Sequence, residues 1–178
     1  LARDIAIANS RYYAYDLALD TNGTIYIGER YAVTCLENDG SFKWRTGKGN
    51  TSISNYGSSG SGDGEFIYAL GIAVHPSSGE VFVADRENHR VQVLDKDGNF
   101  LRKFGSYGTA PGQLKLPHDL VFLPNDTLVV GDQYYLHYFQ TDGTFIKRVN
   151  ASSAKYHVSV AKDGTLFNYG KLRDLDGN

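Results

Sequence analysis

Apolar residues recur at every second place along this chain, in short runs separated by turn residues. That is the strand period, not the helix period. The pattern is clearest in Gly71-Ile72-Ala73-Val74-His75-Pro76, then Gly79-Glu80-Val81-Phe82-Val83-Ala84-Asp85. It continues through Asn88-His89-Arg90-Val91-Gln92-Val93-Leu94 and Asp97-Gly98-Asn99-Phe100-Leu101-Arg102-Lys103-Phe104-Gly105. Asp-Gly between alternating runs is a strong hairpin signal, because glycine takes positive φ at low cost. The unit is a four-stranded antiparallel meander.

The unit repeats. The alternation predicts strands near 17–19, 24–28, 33–37 and 42–45, then near 71–75, 80–84, 90–95 and 100–104. A third set falls near 119–123, 127–131, 136–140 and 145–149, and a fourth begins near 157–161 and 165–169. One meander cannot bury both its faces, but copies stacked radially give each other two neighbours, which is the logic of a propeller blade. The chain is therefore all-β, a propeller section of about four blades near 14–47, 68–105, 117–149 and 156–178. Ile72, Val74, Val81, Val83, Val91, Val93, Leu128 and Val130 form the expected core. Residues 47–65, rich in Gly and Ser, are expected to be a flexible inter-blade loop. The fourth copy lacks a visible fourth strand, and residues 1–9, with Ile5 and Ile7, are the candidate to complete it and close a ring.

Composition agrees with this fold and narrows the chemistry little. The 178 residues hold 13 Tyr, 9 Phe and 20 Gly, which suits strands and tight turns. All four prolines, Pro76, Pro111, Pro117 and Pro124, fall between the strands, where no ladder hydrogen bond is lost. No apolar run approaches the roughly 20 residues of a membrane span. The formal net charge is −2 with scattered positive residues, so the contiguous basic stripe of a nucleic-acid surface is not visible. Cys35 is the single cysteine and alternates with Val33 in the third strand, the place of a buried thiol. Four N-glycosylation sequons begin at Asn22, Asn50, Asn125 and Asn150. They point to an extracellular or secreted glycoprotein, with a cytoplasmic location as the alternative.

The second copy and its approach carry a family resemblance. Gly60-Ser61-Gly62-Asp63-Gly64-Glu65-Phe66 and Ala84-Asp85-Arg86-Glu87-Asn88-His89-Arg90-Val91-Gln92-Val93 resemble the NHL repeat. Gly105-Ser106-Tyr107-Gly108 to Pro111-Gly112-Gln113-Leu114 resembles the linker into the next repeat. The likeness is closest over 60–122, looser over 14–47 and 123–149, and faintest over 156–178. It implies a β-propeller, six-bladed in typical members, whereas this length holds four units.

Candidate chemistry sits at the blade starts and strand ends. Asp85 with Arg90 reads as a structural pair, a carboxylate locked by a guanidinium a few residues on. In the third copy Tyr134 and Tyr135 stand near the place of His89-Arg90 and offer aromatic surface for a partner. The first-strand starts Tyr15-Asp16, Leu70-Gly71, His118-Asp119 and Tyr156-His157 should share one end of the central channel. Tyr15, Asp16, His118, Asp119, Tyr156 and His157 are thus the main candidates for ligand or partner recognition, the alternative being polar groups satisfied by one another and by channel water.

The resemblance extends to the peptide-amidating lyases, whose zinc is held by histidines from blade starts. Pro117-His118-Asp119-Leu120 is similar to one such start. Only His118 and His157 would serve here, short of the three or four ligands a zinc site needs. No metal or other cofactor is expected. The favoured reading is a non-enzymatic propeller that binds protein or glycan through one face, or assembles with copies of itself. A zinc-dependent lyase on the same fold is the alternative, and an RNA-binding propeller is a second one that the charge does not favour.

Overall fold

The computed structural model describes residues 14–49, 57–151, 157–168 and 171–173. The first sheet runs β1 (Asp16–Leu19), β2 (Ile25–Gly28), β3 (Val33–Leu36) and β4 (Phe42–Thr46), in that order and antiparallel throughout. The second is β5 (Ala69–Val74), β6 (Val81–Asp85), β7 (Arg90–Leu94) and β8 (Phe100–Phe104). The third is β9 (Asp119–Phe122), β10 (Leu128–Gly131), β11 (Tyr135–Phe139) and β12 (Phe145–Asn150). The fourth joins β13 (Val158–Val160), β14 (Leu166–Asn168) and β15 (Lys171–Arg173). These are the meanders the alternation predicts, and each is one blade.

The hairpin chemistry works as read. In the β7–β8 turn Asp95 accepts the Asp97 and Asn99 N–H groups at 2.9 Å, and Gly98 takes φ 85°. A Cβ on Gly98 would stand 2.7 Å from the Trp44 ring of the first blade, so this glycine serves the blade contact as well as the turn. Each of the first three blades carries a bulge at the same place, between Cys35 and Leu36, Val93 and Leu94, and Tyr138 and Phe139. An irregularity repeated in register adds to strand bend and twist and belongs to the repeat.

The core lies between blades. Tyr26, Val33 and Cys35 of the first blade meet Ile72, Val81, Val83 and Leu94 of the second. Phe82, Val91 and Val93 meet Leu120, Leu128, Val130 and Phe139 of the third. Val129, Leu136 and Tyr138 meet Val158 and Leu166 of the fourth. Of the expected core residues only Val74 is half-buried, because it borders a hollow at the hairpin-turn end.

Three local features differ from the sequence reading. β5 starts at Ala69, with a bulge before Gly71. A single 3-10 turn, Arg86–Asn88, joins β6 to β7 and ends on His89 at φ 56°. In place of a flexible loop over its whole length, the described part of 47–65 is tied down: Gly60 N–H donates to Phe66 O and Gly64 N–H to Gln92 Oε1. Residues 1–9, expected to complete the last blade, lie outside the described residues. The end where β1, β5, β9 and β13 begin is here the upper end, and the end with the hairpin turns is the lower end.

Candidate functional site at the upper end

The blade starts converge. Tyr15, Asp16, Leu70, His118, Asp119 and His157, drawn from all four blades, line one cavity of about 210 Å3. Tyr156 lies outside the described residues. Stacking puts these positions together, since each is the start of an inner strand in a repeated unit.

The two carboxylates latch neighbouring blades. Asp16 accepts the Ile72 N–H of the second blade at 2.9 Å. Asp119 accepts the Val158 N–H of the fourth at 2.6 Å and its own Leu120 N–H at 2.8 Å. At the equivalent place in the second blade stands Gly71, where a Cβ would lie 2.7 Å from the Asp119 Cα. There the backbones approach too closely for a side chain. Burial raises the Asp119 pKa to about 6, the Val158 hydrogen bond working against it and the Asp16 charge with it. The exposed His157 places Nδ1 3.2 Å from Asp119 Oδ2. His118 is buried, and burial lowers its pKa. Its Nε2 lies 3.0 Å from the Asp132 carbonyl oxygen, which can only accept, so Nε2 carries the proton.

Tyrosines covered by cations stand at the same end, in the β2–β3 and β10–β11 connections, at the start of β11 and before β5. Arg148 lies over the Tyr135 ring at 4.2 Å, Lys115 over Tyr134 at 4.9 Å, and Arg30 over both Tyr31 and Tyr68 at 5.1 Å. Tyr15 leans on Tyr68 with centroids 5.6 Å apart. Tyr134 is exposed and Tyr135 half-buried under Arg148. They therefore stand at the upper end but outside the central cavity.

Asp85 and Arg90 form a buried ion pair that clamps the approach segment. Arg90 Nε donates to Asp85 at 2.8 Å, and its other nitrogens donate to the carbonyls of Ser61, Gly62 and Glu65 at 2.8–3.0 Å. Asp85 also accepts from Ile67 N–H, Asn88 and Gln92. The clamp pins the approach segment onto the second blade.

Equivalent acids in two other blades have partners that the sequence reading missed. Glu29 accepts from the Thr34 hydroxyl and the Arg45 guanidinium. Asp132 takes His137 at 3.0 Å together with the N–H groups of Lys115, Tyr134 and Tyr135. Burial raises the pKa of Glu29 and of Asp85. At Asp132 burial works the same way, but His137 and the backbone donors outweigh it and lower the pKa. The available signal was register: Thr34, Gln92 and His137 occupy one position of the third strand, opposite Ile27, Val83 and Val130.

The donor set at the upper end does not suit zinc. His118 and His157 have their nearest nitrogens on a backbone carbonyl and on Asp119. Among the described residues no group of three His, Cys, Asp or Glu is placed to hold a metal ion. A larger hollow of about 430 Å3 lies at the lower end between the first two blades, lined by Leu19, Asp20, Tyr26, His75, Ser78 and Lys96 among others. Its size exceeds that of the upper cavity, but Asp20, His75 and Ser78 are engaged in their own turns, so the convergent polar groups favour the upper end. Asn22 and Asn125 are exposed in lower-end turns, Asn150 is exposed at the end of β12, and Asn50 lies outside the described residues.

Three four-stranded blades and a fourth with three described strands, all antiparallel and stacked through three buried interfaces, define a β-propeller section with its polar site at the inner strand starts. Residues 66–94 match the NHL repeat family model. These residues carry an NHL repeat, and the four sheets of the chain are blades of a β-propeller section. It is 49% identical over 59 residues to the RING finger protein nhl-1 of Caenorhabditis elegans, covering 33% of this chain and 6% of that one. It is 30% identical over 157 residues to the peptidyl-glycine alpha-amidating monooxygenase of Mus musculus, covering 82% of this chain and 15% of that one. In fold it is similar to the virginiamycin B lyase of Staphylococcus aureus, with TM-score 0.65 and 14% identity, over 97% of this chain and 56% of the lyase. The chain thus spans a small fraction of the curated relatives' length.

Proposed function

We propose that this chain is a non-enzymatic binding platform that takes a protein partner at its upper end. The observation that carries this reading is the set of cation-covered tyrosines at the same end as the convergent cavity. Guanidinium and ammonium groups held on rings are fixed in place at low entropy cost, and tyrosine and arginine are the residues that dominate protein interfaces. The same covering disfavours a glycan, because sugars stack on open ring faces, and here Arg148, Lys115 and Arg30 lie over those faces. Acidic and apolar side chains of a protein segment match these cations and the cavity.

A peptide library displayed on phage and selected against the immobilised chain tests this. Enriched peptides should be acidic and should lose binding to Tyr134→Ala with Tyr135→Ala and to Arg30→Ala. They should keep binding to Lys96→Ala at the lower end. Enrichment that depends on Lys96 and ignores these tyrosines and Arg30 would refute the reading.

The likeness to the amidating enzyme favours one rival, a metal-dependent lyase on the same fold. It needs a third donor beside His118 and His157. Stoichiometric zinc after metal-replete purification, lost in His118→Ala, would favour that rival.

A further inference from the structure

Three cations at the upper end already have polar partners on this chain. Arg86 pairs with Glu87, Lys115 Nζ lies 3.2 Å from the Tyr134 hydroxyl, and Arg148 donates to the Thr109 carbonyl. Arg30 differs. It is exposed, and its guanidinium lies over the rings of Tyr31 and Tyr68, each at 5.1 Å. Among the described residues its side chain has no ion pair and no hydrogen bond. The rings restrict the guanidinium while its N–H donors, which lie in the plane of the group, stay available.

The backbone holds one of these rings in place. Tyr68 has φ 61°, in the left-handed region that a bulky residue enters only at a cost. Its N–H donates to the Arg30 carbonyl at 2.6 Å, and its own carbonyl accepts the Arg86 N–H at 3.0 Å. Leu116 is its equivalent in the next blade. The residues just before them, Ile67 and Lys115, donate their N–H groups to the strand-end acids Asp85 and Asp132, and Leu116 has φ 54°. The left-handed turn therefore belongs to the repeat and fixes where this side chain points, while its identity is free to vary. The second blade places a tyrosine there, against Arg30. The Tyr15 ring stands 5.6 Å from that of Tyr68 and lines the upper cavity, so the Arg30 group borders the cavity.

We propose that Arg30 is the anchor of the upper end and clasps a carboxylate of an acidic side chain of the partner through two parallel N–H donors, with Tyr68 as its positioning residue. This rests on the reading of the upper end as a protein-binding face. A guanidinium matches the two oxygens of a carboxylate in a way that an ammonium does not. An exposed pair of this kind is ordinarily weak, because two long side chains must be ordered to make it and water screens it. At Arg30 the ordering is in place before a partner arrives, which lowers the entropy lost on pairing. Arg86, Lys115 and Arg148 would each give up an existing partner to do the same.

Nuclear magnetic resonance of the arginine Nε–H groups in the nitrogen-labelled 178-residue chain tests it, with sodium acetate as the probe at fixed ionic strength. The Arg30 signal should shift and saturate at about tenfold lower acetate than the Arg86 and Arg148 signals. Tyr68→Leu, which installs the residue the third blade carries at this place, should keep the backbone amide spectrum folded and move the Arg30 midpoint to that of the other two. An Arg30 signal that responds to acetate as theirs do, or that ignores Tyr68→Leu, overturns the proposal. Methyl phosphate saturating the shift at about tenfold lower concentration than acetate would overturn the choice of a carboxylate. The probe is a small ion, so this outcome is separate from that of the peptide selection. Selected peptides that require Tyr134 and Tyr135 but bind Arg30→Ala and Arg30→Lys unchanged would leave the protein-binding reading standing and remove the clasp.

Discussion

Removing the Arg90 side chain should destabilise the protein more than any other single change near the approach segment. The guanidinium is buried and donates to Asp85 and to three backbone carbonyls. Breaking a buried pair by deleting one partner costs about 3–5 kcal/mol, because the remaining charge is left uncompensated. Asp85 keeps Ile67 N–H, Asn88 and Gln92, so the lower end of that range, about 3 kcal/mol, is expected for Arg90→Ala. For a chain of this size that is a fall in Tm of about 6–12 °C. The pH dependence carries a second signature. Burial raises the folded-state pKa of Asp85, so the folded chain holds that proton more tightly than the unfolded one. Stability from this group therefore falls as pH rises above about 4. Deleting Arg90 raises the folded pKa further, so the loss should be largest at neutral pH and shrink toward about pH 4. Urea denaturation of Arg90→Ala and Arg90→Lys at both pH values measures this. A loss below about 1 kcal/mol, or one independent of pH, would refute the clamp as described.

Three more outcomes follow from the blade contacts. Asp119→Asn should flatten stability against pH between about 4 and 6, since the folded pKa of about 6 makes the native carboxylate lose stability as pH rises through that window; urea midpoints at several pH values read it, and an unchanged slope counts against the buried latch. Gly71→Ala should cost about 1–3 kcal/mol, because its Cβ would meet the backbone of His118 and Asp119 at 2.7–2.9 Å; a neutral result in thermal melts would mean that the blades can separate there freely. Cys35 should resist Ellman's reagent in the native chain, since it is fully buried and burial raises its pKa to about 12. Labelling should then follow unfolding, and reaction within the mixing time would contradict the packing.

The fold was legible because the local signals agree. Period-two alternation sets which face of each strand is buried, and Asp-Gly turns set the register. Repetition then supplies the third dimension, since a blade open on two faces is stable only between two others. Residues such as Ile72, Val83 and Val91 could be placed in the core from spacing alone. The tether on 57–65 was not legible in the same way. Its glycines and serines read as freedom, but their carbonyls are what Arg90 grips, and backbone acceptors leave no mark in a sequence.

The candidate site divides along the same line. Convergence of Tyr15, Asp16, His118, Asp119 and His157 follows from equivalent strand starts, and stacking brings them into one cavity. What each group does there depends on atoms that no repeat specifies. Asp16 and Asp119 read in the sequence as recognition candidates, yet each accepts an N–H from the blade beyond it. The buried strand-end acids make the same point. The acid keeps its place in three blades while its counterpart changes from Arg45 on a fourth strand, to Arg90 at the start of a third, to His137 inside one. The repeat fixes the position where charge must be neutralised and leaves open which neighbour supplies the donor. The upper end can therefore vary its arginines, lysines and tyrosines blade by blade without disturbing the scaffold, and specificity for a partner can reside there.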